Sequence, residues 1–166
     1  MRQVAIALAA LSATLFASMT WYIWSVMKPN AGGLAPFDLR FLGYSPEQAL
    51  TYLKALQSPG RAFYLLEMRI LDTAFPLAFA GLGVLVVFFL SGGRPAWQRV
   101  LLTLPVLAYG IVDLAENTST RALVMAGPEA FDAGLAAKAS LLTQTKFALI
   151  LASLALAYWL WRSRKP

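Results

Sequence analysis

Seven residues of this 166-residue chain combine chemical type and spacing in a way that could do work: Glu67, Arg69 and Asp72 in one apolar stretch, Asp113, Glu116 and Asn117 in a second, and Lys146 in a third. Each stretch is long enough to cross a membrane. A charged side chain at the middle of a bilayer costs roughly 2.5 to 3.5 kcal/mol on insertion scales, so such groups need partners, water or a purpose. Asp113, Glu116 and Asn117 follow one another at intervals of three and one, and the first and last are four apart, which places them on one helix face. Pro76 stands four residues after Asp72; a proline there removes the helix hydrogen bond to the Asp72 carbonyl, so carbonyl and carboxylate are expected to face one region.

The types that are missing narrow the chemistry further. The chain has no Cys and no His. That excludes disulfides, thiolate nucleophiles, His-ligated haem and zinc held by nitrogen and sulfur. Proton chemistry would fall to carboxylates, Lys or Tyr, and a metal would have to be a hard, oxygen-liking ion. We expect no cofactor and no metal. The formal net charge of +6 would suggest nucleic acid in a soluble chain, but the basic residues sit mainly at the ends of apolar runs, where membrane topology accounts for them. No nucleic-acid partner is expected.

The elements that must position these residues are long helices. Hydrophobic residues make up 59% of the chain and the mean hydropathy is +0.63, above the roughly 45 to 50% apolar content of soluble domains. The expected fold is an all-α integral membrane protein, a single four-transmembrane-helix bundle with spans near residues 4–26, 63–90, 97–117 and 140–161. In the first span Ala5, Ala9, Ala13 and Ala17 recur every four residues, a small-residue stripe expected to pack against another helix. The run is too long for a signal peptide's apolar region, and we read it as a retained span.

Between the first two spans, Ser45-Pro46-Glu47-Gln48 has the pattern of a capping box, and it opens an amphipathic helix over residues 46–57. This helix is expected to lie on the outer membrane surface or to close over a cavity. Pro36-Phe37-Asp38-Leu39-Arg40 just before it could fold its charges down toward the bundle or form a solvated turn, of which the turn is the favoured reading, and residues 121–138 read as a loop with room for a short helix. Arg2, Arg94, Arg99, Arg162, Arg164 and Lys165 lie in short segments without acids, which makes that side cytoplasmic and places both termini there. The expected location is a bacterial inner membrane.

With antiparallel neighbours and a rise of about 1.5 Å per residue, Asp72 and Lys146 both lie about 10 Å below the outer surface, with Asp113 and Glu116 near the outer end of the third span. One reading is an ion-paired latch, Asp72 with Lys146 and Arg69 with Glu116 or Asp113. The other is a polar pocket: Glu67, Asp72, Asp113 and Glu116 outnumber Arg69 and Lys146, and a carboxylate without a partner can bind or carry a proton.

Four spans, a long first outer loop, and acids in the second and third spans make the layout similar to the emopamil-binding-protein and sigma-two receptor superfamily. That resemblance implies a sterol-like molecule in an intramembrane pocket. The histidine of its isomerase members has no counterpart here, so isomerisation is not implied. The expected partners are membrane lipids and a lipid-like or hydrophobic small molecule in an outer-leaflet pocket. The alternative is a larger membrane protein complex in which the chain is an accessory or assembly subunit and the cluster a latch.

Overall fold

The computed structural model describes residues 2–163. Every regular element among them is helical. Helix α1, Arg2–Tyr22, runs on through a π turn at Ile23–Met27; short 3-10 turns follow at Pro29–Ala31 and Phe37–Leu39; α2 is Pro46–Ala55. Helix α3, Ser58–Phe63, a π turn at Tyr64–Met68 and α4, Arg69–Leu90, form one continuous rod. Helices α5, Ala96–Ala126, and α6, Ala133–Arg162, complete the chain. Four of these rods are long and apolar enough to cross a membrane: Arg2–Met27, Ser58–Leu90, Ala96–Ala126 and Ala133–Arg162. Arg164 and Lys165, on which part of the orientation argument rests, lie outside the described residues.

The third and fourth rods are longer than their apolar windows, and the expected loop over residues 121–138 shrinks to a turn between Ala126 and Ala133. The reason is hydrogen bonding, not hydropathy. Thr118, Ser119 and Thr120 donate to the carbonyls of Leu114, Ala115 and Glu116 at 2.9, 3.0 and 3.1 Å, so polar residues ride inside the helix with their hydroxyls satisfied. Helix α5 stops only at Gly127, whose φ of 70° no side-chain-bearing residue adopts easily. Helix α6 begins where the Asp132 carboxylate accepts the Gly134 and Leu135 amides at 2.8 and 3.0 Å. Arg61 on α3 donates to the Met125 carbonyl, placing a cation at the negative end of α5.

Helix α5 packs against both α4 and α6, α4 also touches α6, and α1 packs against α4. The α4–α5 contact is close because Gly83 has no side chain: a Cβ there would come within 2.5 Å of Val106 Cγ2. Between α1 and α6 there is no comparable contact. Ser12 is the one buried residue of α1, and Ala9, Ala13 and Ala17 are exposed, so the alanine stripe is not the face that packs within the molecule.

The first loop folds inward, contrary to the solvated turn expected for residues 36–40. Phe37 is fully buried, its ring 4.8 Å from Tyr52 and 5.0 Å from Tyr44. Arg40 donates to the Ala35 carbonyl and lies over the Phe37, Tyr44 and Tyr52 rings at 5.4 to 5.7 Å. Burying three aromatic rings outweighs solvating the two charges, of which Arg40 is held by the Ala35 carbonyl and the ring faces. The capping box forms as expected: Ser45 Oγ accepts the Gln48 amide at 3.3 Å, and Gln48 Oε1 accepts the Ser45 amide at 2.9 Å. The Tyr44 amide donates to Ser140 Oγ at 2.8 Å, pinning the loop to α6.

Candidate functional site

Lys146, on the middle of α6, is the centre of a buried polar cluster. Its Nζ donates to Asp113 Oδ1 at 3.0 Å and to Glu116 Oε2, both on α5, and lies 4.0 Å from Asp38 Oδ1 in the first loop. All ion pairs among the described residues belong to this lysine. The second oxygens of the two helical acids are occupied as well: Tyr109 donates to Asp113 Oδ2 at 2.8 Å and Thr143 to Glu116 Oε1 at 2.5 Å. Helical spacing explains these partners, because Tyr109 precedes Asp113 by four residues and Thr143 precedes Lys146 by three.

Asp72 is different. It is 7% exposed, lines the same region, and its carboxylate has no hydrogen bond or ion pair among the described residues. Its backbone carbonyl, deprived of a helix donor by Pro76, instead accepts the Asn117 side-chain amide at 2.6 Å. The proline thus creates an acceptor on α4 that α5 fills. Asp38 is intermediate: Tyr64 donates to Oδ2 at 3.3 Å, whereas Oδ1 is buried without a hydrogen bond.

These groups border a cavity of about 750 Å³ in the gap between α1 and α6. Asp38, Asp72, Asp113, Asn117 and Lys146 line it toward the first loop. Phe16 of α1, Phe75, Phe79 and Leu82 of α4 and Ile150 of α6 make the remaining wall almost wholly apolar, and Ala9 and Ala13 form its α1 side. Leu39 also lines it, and beside Leu39 the loop presents Phe41 and Leu42, both exposed, with the Phe41 ring 6.2 Å from Phe147.

Of the residues singled out in the sequence, Asp72, Asp113, Glu116, Asn117 and Lys146 come together. Glu67 and Arg69 do not: both are exposed, and Arg69 pairs with neither Glu116 nor Asp113. The Asp72–Lys146 pair of the latch reading is also not formed. Lys146 has Asp113 and Glu116 on the adjacent helix and needs no third acid on α4. Asp38, Tyr109 and Thr143 were missed; the helical spacing could have found the last two, while Asp38 depends on how the loop folds. Helix α2 does not line the cavity, and it is the Asp38–Leu39 turn that does.

Lys146, held by carboxylates, is an ammonium donor and not a free nucleophile. Among the described residues no group of three or more acids is arranged to hold a metal ion. What the arrangement can do is hold a molecule: an apolar wall that ends on carboxylate oxygens lacking protein donors. No family model, curated protein or solved structure matches this chain.

Proposed function

We propose that the chain is a four-span membrane protein that binds a lipid-like or hydrophobic small molecule between α1 and α6. The carrying observation is the 750 Å³ cavity whose apolar wall ends on the unpartnered Asp72 carboxylate. Its size suits a small-molecule site, for which clefts of roughly 300 to 1,000 Å³ with few polar groups are usual. The four rods form a bundle in the bilayer, and because α1 and α6 do not close on each other, the cavity admits its ligand sideways from the lipid. Exposed Phe41 and Leu42 support a loop that dips into the interface at the mouth. The density of Arg2, Arg94, Arg99 and Arg162 supports termini on the cytoplasmic face of a bacterial inner membrane.

Mass spectrometry of the protein purified from its native membrane tests this. A discrete hydrophobic molecule should accompany the natural chain and be lost from Ala13→Trp, which fills the cavity. Identical lipid content in both proteins would remove the binding reading. A second reading, an accessory subunit, rests on the exposed Ala9, Ala13 and Ala17 surface, which could take a helix of a larger complex. Recovery of a stoichiometric membrane partner, lost in Ala13→Trp, would favour it.

A further inference from the structure

We propose that the end of the bundle where α1 begins and α6 ends binds the phosphate of an anionic phospholipid, with Arg94 and Arg99 as its contacts. This site is separate from the cavity, and the inference rests only on the four rods lying in a bilayer. The charge of the chain is divided unevenly. No acid occurs before Asp38, between Asp72 and Asp113, or after Asp132. Arg2, Arg94, Arg99 and Arg162 therefore stand at one end with no acid among them, and Arg164 and Lys165 follow in the sequence. The other eight of the 14 basic residues are matched by the eight acids, so the whole excess of +6 belongs to these segments.

Membrane topology alone calls for charge at such an end, not for order. Two of these arginines are nevertheless held in place. Arg99 Nη2 donates to the Phe88 carbonyl at 2.8 Å, near the end of α4, and its guanidinium lies 4.7 Å from the Phe88 ring. Arg94, in the turn between α4 and α5, lies 5.0 Å over the Trp159 ring of α6. Its guanidinium has no hydrogen bond or ion pair among the described residues, so its N–H groups are open to a ligand. A guanidinium is a planar fork that takes two phosphate oxygens at once, and stacking on a ring fixes that fork before the ligand arrives. All four described cations at this end are arginines, whereas the opposite end also carries Lys28, Lys54 and Lys138. Trp97, Trp159 and Trp161 are exposed around them, as aromatic rings at headgroup level are. A zwitterionic headgroup would bring its own ammonium to a surface with no acid to receive it. The charge thus selects a lipid with a net negative head, such as phosphatidylglycerol.

Native mass spectrometry of the purified full chain in a neutral maltoside detergent, given equal amounts of dioleoyl phosphatidylglycerol and dioleoyl phosphatidylcholine, tests the inference. Phosphatidylglycerol should be retained about tenfold over phosphatidylcholine, and Arg94→Gln should lower that preference about fivefold, the effect of one basic residue at an anionic surface. Trp159→Ala keeps the net charge but releases Arg94, and should lower the preference about two- to fivefold. Lys54→Gln removes the same charge at the opposite end and should change nothing, as should Ala13→Trp, which fills only the cavity. Equal retention of the two lipids, or equal losses from Arg94→Gln and Lys54→Gln, would overturn the site and leave plain topology. Loss of the preference in Ala13→Trp would place the lipid in the cavity and overturn it as well. Inorganic phosphate at the same concentration should not displace the lipid; displacement would make free phosphate the ligand. A failed lipid preference leaves the cavity reading standing, because that reading depends on a different molecule between α1 and α6.

Discussion

Glu116 and Asp72 are both buried carboxylates facing the space between the helices, and they live in opposite circumstances. Glu116 is fully buried and has a protein partner on each oxygen, Lys146 on one and Thr143 on the other. Asp72 is nearly as buried and its carboxylate has none among the described residues. The α5–α6 side of the cluster is thus finished, whereas the side made by α4 and the first loop is left open toward the cavity. The two sides of one cluster thus differ in whether protein groups close them, and that difference is what supports reading the open side as a place for a ligand.

The comparison is most strongly tested at Lys146. Lys146→Met leaves Asp113 and Glu116 buried without a counter-charge and is expected to destabilise the protein by about 3 to 5 kcal/mol in detergent unfolding. A loss below about 1 kcal/mol would mean that the α5–α6 side is no latch. Next comes Asn117→Leu, which strands the carbonyl freed by Pro76 and should cost about 1 to 3 kcal/mol. Restoring the missing helix donor with Pro76→Ala in the same background should recover part of it, since the carbonyl is then satisfied within α4.

On the open side the effects on stability are smaller and their signs differ. Asp72→Asn, which breaks no protein contact of the carboxylate, should change stability by less than about 1 kcal/mol, with unfolding in detergent as the measure. A loss as large as that of Lys146→Met would erase the contrast between the two sides. Tyr52 adds a pH test. Burial first, and the nearby Asp38 charge second, push its phenol above the ordinary value, and its hydroxyl has no partner. The folded state therefore keeps a proton that the unfolded chain loses above about pH 10. Its contribution is complete below about pH 10 and falls as pH rises toward the folded value. Tyr52→Phe should be within about 0.5 kcal/mol of the natural chain at neutral pH and should retain more of its stability at about pH 11. Smallest of all is Glu47→Gln: Glu47 is exposed in the first turn of α2, and no measurable change in melting is expected. A sizeable loss there would move the weight of the argument from the cluster to the first loop.

Much of the architecture was legible locally. The capping box at Ser45 and Gln48 and the apolar windows of the four rods depend on neighbours a few residues away, and each is found where local rules put it. The lengths of α5 and α6 were not legible, because hydropathy reports where a helix could meet lipid and not where its backbone hydrogen bonds end. The inward fold of residues 36–40 is the less favoured reading of the sequence for a related reason: Asp38 and Arg40 look solvated until Phe37 is seen packed against Tyr44 and Tyr52.

By itself, the sequence determined that few charges stand in four long apolar rods, that histidine and cysteine chemistry is excluded, and that Pro76 frees the Asp72 carbonyl. These follow from residue type and from periods of three and four within one helix. Only the tertiary structure decided that Lys146 takes Asp113 and Glu116, that Glu67 and Arg69 stay outside, and that the Asp72 carboxylate, beside a cavity, has no partner among the described residues. Pairing across helices depends on their rotation and on which neighbours touch, set by packing such as Gly83 against Val106 and by the lack of close packing between α1 and α6.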